Sequence, residues 1–216
     1  MRIVALGASG NAGREIAVLL GPGLVASDEL VLAGRDPAKL ARSAEAVASP
    51  ASVTTGRVDV TDLDAVRELV TGADLVVVTV SRPDLVKDLA RIVLDADADW
   101  FDTMLSTPGK LAALQALAGE IADAGRCFVT DGGFHPGLPA VLVRWAAGRL
   151  DELIEADVFA AMRMDWRADT LADSTVAEMF DEFADFDLVA WVDGESRRLR
   201  GRECPSVDFG PPIGRK

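Results

Sequence analysis

The sequence predicts an α/β fold in which a doubly wound parallel sheet is followed by a partial α+β second domain. Two observations lead to this prediction. Short apolar runs and helical segments alternate along about the first 130 residues, which is the pattern of a parallel sheet covered by helices on both faces. Beyond Leu150 the alternation stops. We therefore predict a Rossmann domain at residues 1–150 and an incomplete α+β domain at residues 151–216.

The first domain is predicted to contain six strands joined by helices. One of them, Leu75–Val78, is a nearly continuous run of β-branched residues, as expected for a strand buried on both faces. The predicted strands are Ile3–Leu6, Leu30–Ala33, Ser52–Val60, Leu75–Val80, Trp100–Thr103 and Arg126–Thr130. The predicted helices are Arg14–Leu20, Pro37–Val47, Asp62–Val70, Asp84–Ala96 and Lys110–Ala124.

The second domain is predicted from weaker patterns. We expect strands at Leu153–Met164 and Leu188–Val192 and a helix at Thr170–Phe183. The dipeptide Asp193-Gly194 predicts a hairpin turn that leads to a strand at Arg197–Arg200. The last residues resemble a loop, so we expect a shortened protein whose exposed apolar surface favours a homodimer.

A glycine-rich segment follows the first strand and predicts a dinucleotide site. Gly7 allows a tight turn, Gly10 lets the backbone approach a pyrophosphate, and Gly13 lets the next helix pack closely. The helix N-terminus then faces the anion. The alternative is a turn that only reverses the chain, with the Ser9 hydroxyl bonded to that turn. The predicted contacts in this segment are Gly7, Ser9, Gly10, Asn11, Ala12 and Gly13.

The end of the second strand indicates which dinucleotide binds. NAD-binding proteins usually place a carboxylate there for the ribose 2′-hydroxyl, whereas a nearby arginine accommodates the 2′-phosphate of NADP. Ala33 and Gly34 carry no carboxylate, and Arg35 offers a guanidinium. We therefore predict NADP, with NAD as the alternative. Arg35 could instead be a solvated charge, and Asp36 can cap a helix that begins at Pro37 in either case.

Two further loops lie at the carboxyl ends of predicted strands, where ligands bind in this fold. Asp59 and Val60 follow the third strand, and Val80 and Ser81 follow the fourth, so we predict all four as cofactor contacts. The alternative for the first loop is that it only caps the next helix, through Asp62 or Thr61. In the second loop, Arg82 either faces a substrate carboxylate or is a solvated surface charge.

His135 is the candidate catalytic residue. It is the only histidine of the chain, and it lies in a glycine- and proline-rich loop after the sixth strand. It could alternatively contact the substrate or cofactor, cap the neighbouring helix or fill a pocket. The chain contains no tyrosine, which excludes the Tyr-x-x-x-Lys mechanism of short-chain dehydrogenases. A proton could come from His135, Lys110, a carboxylate or water.

Composition excludes several classes of function. The formal net charge is −13 and the pI is about 4.5, so nucleic acid and anionic membrane surfaces are poor partners. No apolar run reaches the roughly 20 residues that span a bilayer, which predicts a cytoplasmic protein. Cys127 and Cys204 are the only cysteines and form no metal or disulfide motif. With a single histidine, we predict no metal site.

Four segments together resemble the saccharopine dehydrogenase-like group of NAD(P)-binding proteins. They are Gly7–Gly13, Ala33–Leu40, Asp59–Asp62 and Gly133–Leu138. The resemblance implies a Rossmann domain joined to an α+β domain that supplies substrate contacts and a dimer surface. Members include amino-acid-forming reductases, polyamine-pathway synthases and enoyl reductases. The segment Asp102–Ser106 departs from the group because it lacks the Gly-Glu pair that often follows the fifth strand.

Two functions follow from these observations. The first is an NADP-dependent oxidoreductase that acts on a small amino-acid-like or carbonyl or imine substrate, with His135 near the reacting atom. The second is a non-catalytic NAD(P)-binding sensor or a truncated remnant. The complete glycine segment and the His135 loop favour the first function. The missing tyrosine, the missing Gly-Glu pair and the abrupt end favour the second.

Overall fold

The computed structural model describes residues 1–134, 137–161, 176, 180, 189–199 and 206–215. The chain divides into two compact units, Met1–Leu142 and Val143–Lys216. The strands are β1 (Arg2–Leu6), β2 (Glu29–Gly34), β3 (Ser52–Arg57), β4 (Leu75–Val78), β5 (Asp99–Asp102), β6 (Phe128–Val129), β7 (Val189–Val192) and β8 (Glu195–Arg198). The α-helices are α1 (Asn11–Leu20), α2 (Pro37–Ala46), α3 (Leu63–Val70), α4 (Val86–Asp95), α5 (Pro108–Asp123) and α6 (Leu138–Ala147).

The first unit is built on one six-stranded sheet. Its strand order is β3-β2-β1-β4-β5-β6, and every neighbouring pair is parallel. This is the strand order of a dinucleotide-binding Rossmann sheet, in which the order reverses between β1 and β4. The predicted fold class is confirmed. The reversal opens a crevice at the carboxyl ends of β1 and β4, and we call this side the carboxyl edge of the sheet.

The core has two layers because side chains alternate across the sheet. Along β1, Ile3 and Ala5 join one apolar cluster with Leu30, Leu32 and residues of α1 and α2. Their neighbours in sequence, Val4 and Leu6, join the opposite cluster with residues of α3, α4 and α5. The four side chains from Ile3 to Leu6 are essentially buried. This strand therefore lies at the centre of the sheet and fixes the start of the glycine segment that follows it.

Three predicted strands of the sheet are longer than the observed ones. β3 ends at Arg57 rather than Val60, because the chain turns at Asp59, whose carboxylate accepts a hydrogen bond from the Thr61 N–H. β4 ends at Val78 rather than Val80, and β6 spans only Phe128–Val129. The residues added after β3, β4 and β6 belong to loops of the carboxyl edge, whereas Arg126 and Cys127 precede β6 at the opposite edge. Most residues of the carboxyl-edge loops, including Val58, Val60, Thr79 and Val80, are β-branched, which made these segments resemble strands in the sequence.

Helix caps were predicted more accurately than strand ends. Asp36 caps α2, with Pro37 in the first turn, and its carboxylate accepts from the backbone N–H groups of Ala38 and Lys39. Asp62 caps α3 by accepting from the Ala65 N–H. Both roles follow from the preference of a short carboxylate for the N-cap position.

In the second unit, β7 and β8 form an antiparallel hairpin. Asp193 and Gly194 form its turn with φ values of 52° and 80°, as the sequence predicts. The strand predicted at Leu153–Met164 is wrong over its described part. Residues 151–160 are all exposed and extend without a sheet partner, and a strand needs such a partner to be stable. The helix predicted at Thr170–Phe183 lies almost wholly outside the described residues, as does Cys204.

Within the described ranges, no helix is both long enough and apolar enough to cross a membrane. The same residues contain no group of three or more side chains suited to hold a metal ion. Cys127 is a free, exposed thiol.

Leu30→Ala should destabilise the protein by about 2–5 kcal/mol, because the side chain is fully buried and its removal leaves a cavity. Leu19→Ala is the matched control, since that side chain is 79% exposed and its truncation should change the free energy of unfolding by no more than about 0.5 kcal/mol. Urea denaturation monitored by circular dichroism measures both. Equal effects of the two substitutions would contradict the assigned core.

Candidate dinucleotide site

The glycine segment turns sharply after β1 and is held against β2 and β4. The backbone N–H groups of Gly7 and Ala8 both donate to the Ala33 carbonyl, at 2.9 and 3.0 Å. Directly after β4, Thr79 donates its backbone N–H and its hydroxyl to the Leu6 carbonyl, each at 2.9 Å. The loop therefore has a fixed conformation before any ligand binds.

The three glycines have different structural requirements. Gly7 has a φ of 90°, and a β-carbon there would lie 2.7 Å from Thr79 Oγ1. A β-carbon at Gly13 would lie 2.5 Å from the Gly7 carbonyl oxygen and 2.6 Å from Thr79 Oγ1. Gly10 has an ordinary φ of −88°, and its only close neighbour would be the Gly7 oxygen at 3.3 Å. The protein itself thus requires glycine at positions 7 and 13, whereas a β-carbon at position 10 would make a single tight contact, with a backbone oxygen.

Helix α1 begins at this loop with its N-terminus open. Gly10 is the N-cap, no side chain within the described residues caps the helix, and its first turn has no acidic residue. The first N–H groups of a helix have no intrahelical partner, and the helix dipole favours an anion there. Asn11 and Ala12, both predicted contacts, supply the first of these N–H groups. The arrangement suits a pyrophosphate.

The end of β2 offers an arginine and no available carboxylate. A β-carbon at Gly34 would lie 2.7 Å from Ser9 Oγ, so the Ser9 side chain occupies the space that a longer residue would need. The Asp36 carboxyl is used by α2, whose Lys39 and Ala38 N–H groups hold its pKa below the ordinary value. Arg35 is exposed at the same edge. Ser9 therefore lies against Gly34, the residue that precedes Arg35 in the chain.

Asp59 lies in the next loop and is held by Thr61. Its carboxylate accepts from the Thr61 N–H at 3.0 Å and from the hydroxyl at 2.8 Å. These two bonds lower the pKa of Asp59, and the positive charges of Arg35 and Arg82 lower it further. The loops after β2, β3 and β4 therefore bring Arg35, Asp59 and Arg82 close enough for their charges to interact. Val60, the other predicted contact of this loop, is half-buried.

The loop after β4 closes the crevice on its other side. Val80 and Ser81 are half-buried, and the Val80 carbonyl accepts from the Arg82 N–H at 2.9 Å. Arg82 forms two hydrogen bonds to Asp84, at 2.8 and 2.6 Å, which raise its pKa. Its guanidinium is therefore paired with Asp84 and remains 41% exposed.

A buried ionic cluster lies farther along the same edge, at the ends of β5 and β6. The Lys110 ammonium group is fully buried and contacts Asp102 Oδ1 at 3.2 Å and Asp131 Oδ1 at 2.6 Å. Sequence analysis named Lys110 as a possible proton source but did not connect it with these carboxylates. One signal was present: Lys110 lies in the first turn of α5, where the helix dipole disfavours a cation. Such a position indicates compensating carboxylates.

His135 lies outside the described residues, so its catalytic role stays a prediction. The described residues on either side of it are joined by a hydrogen bond. Gly137 has a φ of 116°, and the Leu138 N–H donates to the Gly133 carbonyl at 3.0 Å. Asp131, at the start of the loop, has a φ of 58°. The loop begins at the carboxyl edge, as expected from its position after the sixth strand.

Comparison with known proteins agrees with this geometry. The family model for the saccharopine dehydrogenase NADP binding domain matches residues 3–129, which is more than half of the chain. The chain belongs to this family. The matched range contains the glycine segment, Arg35, Asp59 and the loop after β4. The saccharopine dehydrogenase-like resemblance predicted from four short segments is therefore confirmed.

A solved structure shares the fold of this family member. Apo saccharopine dehydrogenase (L-Glu forming) from Saccharomyces cerevisiae matches with a TM-score of 0.54 and 18% identity, over 68% of this chain and 31% of the yeast chain. A metagenomic short-chain oxidoreductase in complex with NADP matches with a TM-score of 0.48 and 19% identity, over 60% of this chain and 80% of the other. No curated protein gives a significant match. The chain spans about a third of the yeast enzyme.

Gly10→Ala should leave the fold intact and weaken dinucleotide binding at least about tenfold, because only the approaching pyrophosphate needs the space at this position. Gly13→Ala should instead destabilise the protein by about 1–3 kcal/mol through overpacking against backbone. Thermal unfolding and calorimetric titration with NADPH separate the two effects. If Gly10→Ala binds the dinucleotide as tightly as the unmodified protein, the segment does not hold the pyrophosphate.

Proposed function

We propose that this protein is an NADP-dependent oxidoreductase that transfers a hydride to or from a small carbonyl or imine substrate of amino-acid-like size. Membership of an NADP-binding domain family supports the cofactor class. The bound nicotinamide would supply the hydride or accept it. The residues that would hold the dinucleotide are the glycine segment, Arg35, and the loops after β3 and β4.

One observation carries the choice of NADP over NAD. Gly34, at the end of β2, has no carboxylate to bind a ribose 2′-hydroxyl, and Ser9 Oγ lies 2.7 Å from where a β-carbon at this position would be. The only neighbouring carboxylate on that loop, Asp36, is bonded to the start of α2. Arg35 is exposed beside them and can pair with a 2′-phosphate. The positive charge of Arg82 lies within range of the same region.

Arg35→Ala should remove most of a preference for NADPH over NADH, a loss of about 1–3 kcal/mol in NADPH binding for a hydrogen bond to a charged group. NADH affinity should change little. Arg67→Ala is the matched control, because Arg67 lies on α3 and pairs with Asp64 at 2.7 Å. Fluorescence titration of the reduced cofactors measures each affinity. Equal affinities of the unmodified protein for NADPH and NADH would exclude the assignment of Arg35.

Turnover distinguishes the oxidoreductase from a non-catalytic NAD(P)-binding protein. Oxidation of NADPH should be followed by absorbance across a panel of small ketones, aldehydes, keto acids and imines formed from them with amines. His135→Ala should lower turnover of an accepted substrate by about 10²–10⁴-fold if the imidazole donates or orients a proton. Cofactor affinity should barely change. Full activity of this variant would remove His135 from the chemistry, and tight NADPH binding without any turnover would favour the sensor.

A homodimer stays part of the proposal. Helix α6 has no buried residue, and Val141 and Trp145 are more than half exposed. Large apolar side chains at the surface of a soluble chain often contact another subunit.

A further inference from the structure

The Lys110 ammonium group has a complete set of hydrogen-bond partners. Its three N–H donors meet Asp102 Oδ1 at 3.2 Å, the Met104 carbonyl at 2.8 Å and Asp131 Oδ1 at 2.6 Å. The side chain is fully buried. An ammonium group with all its protons in use is a poor proton donor but a rigid anchor. Lys110 therefore holds its partners in place and is not itself the acid of the site.

The two carboxylates of the cluster are not equivalent. Asp102 is fully buried, and its oxygens also accept from the Trp100 indole N–H at 2.7 Å and the Met104 N–H at 3.0 Å. Asp131 retains 20% exposure of its side chain. One ammonium group faces two carboxylates, so the cluster has one negative charge in excess. Asp102 is surrounded by hydrogen-bond donors. The negative charge that Lys110 does not balance therefore lies on Asp131, which borders the carboxyl edge.

Ser106 lies between Asp131 and solvent. Its hydroxyl donates a hydrogen bond to Asp131 Oδ2, while Lys110 holds Oδ1. Ser106 itself is exposed. A hydroxyl that donates its proton to a carboxylate presents its lone pairs outward, and so it can accept a hydrogen bond from a bound molecule. A continuous chain of hydrogen bonds thus runs from the buried ammonium through a carboxylate to an exposed oxygen.

We propose that Ser106 and Asp131 form a proton relay for hydride transfer, in which Ser106 is the catalytic residue and Lys110 is a positioning residue. The proposal rests on the proposed oxidoreductase function and identifies a route for its proton. The chain has no tyrosine to fill that role. The relay lies at the ends of β5 and β6, on the edge of the sheet where doubly wound proteins bind their ligands.

The relay conserves protons and electrons. In the direction of oxidation, a bound oxidised nicotinamide would accept the hydride and its electron pair from the substrate carbon, and the adjacent O–H or N–H bond would break as the C=O or C=N bond formed. The released proton passes to Ser106 Oγ, while the Ser106 proton passes to Asp131 Oδ2. Asp131 then releases its proton to water. Reduction follows the same steps in reverse.

Ser106 variants provide the sharpest test, because the residue is exposed and its substitution should not unfold the protein. With the substrate found in the panel, Ser106→Ala should lower kcat by about 10²–10⁴-fold, and Ser106→Thr, which keeps the hydroxyl, should restore most of it. NADPH affinity and thermal stability should be unchanged in both. Ser52→Ala is the control, since Ser52 is an exposed serine at the opposite, amino end of β3.

Lys110→Met tests positioning separately from catalysis. The folded variant should show a lower kcat with little change in KM, and its crystal structure should show the Asp131 carboxylate displaced from Ser106. Where Lys110→Met does not fold, the double variant Lys110→Met/Asp102→Asn, which removes one charge of each sign, provides the same measurement. A merely structural lysine would change stability and leave kcat of the folded variant at the unmodified value.

The outcomes separate the relay from the wider proposal. Turnover by the unmodified protein together with full turnover by Ser106→Ala would overturn the relay and leave the oxidoreductase standing. Full kcat in folded Lys110→Met would overturn its positioning role. Absence of turnover by the unmodified protein across the panel would overturn the proposed function and the relay with it.

Discussion

The close approach of the glycine segment to β4 is the constraint on which the rest of the site depends. Thr79 bonds the end of β1 through both its backbone and its hydroxyl, and that hydroxyl lies where β-carbons of Gly7 or Gly13 would be. Because neither glycine has a side chain, α1 can begin directly above the sheet. The helix N-terminus is thereby fixed at the point where the strand order reverses between β1 and β4. A ligand that binds there meets oriented N–H groups without paying for their ordering.

The carboxyl edge has two electrostatic regions with different physical character. Around β2 and β3, Arg35 and Asp59 are largely exposed, and water screens their interaction. Around β5 and β6, Lys110 and Asp102 are fully buried. Burying charged groups is costly unless each is paired and hydrogen-bonded. The first region suits a phosphate that arrives from solvent, and the second suits a preorganised group that must not move during a reaction.

The sequence predicted strand centres and two helix caps well and the ends of several elements poorly, since α1 begins at Asn11 rather than Arg14 and β3 ends at Arg57 rather than Val60. Asp36 and Asp62 are correctly predicted as N-caps, because capping depends on a side chain and N–H groups two or three residues away. The ends of β3 and β4 depend on whether a neighbouring strand continues beside them, and this is a long-range property. The strand predicted over residues 153–161 is wrong for the same long-range reason. The sequence shows that this segment is apolar, but it does not show that no other strand pairs with it.

By itself, the sequence determined the parallel α/β order, the glycine spacing after β1, the capping aspartates, the Asp193-Gly194 turn and the family. Each of these follows from local chemistry, since periodicity, turn conformation and capping act over a few neighbouring residues. Only the tertiary structure showed that Ser9 blocks a side chain at Gly34 and that Lys110 joins Asp102 to Asp131. These contacts link residues that are far apart in sequence, 21 positions for Lys110 and Asp131. Parallel strands bring their carboxyl ends together at one edge, so such contacts exist only once the sheet has formed.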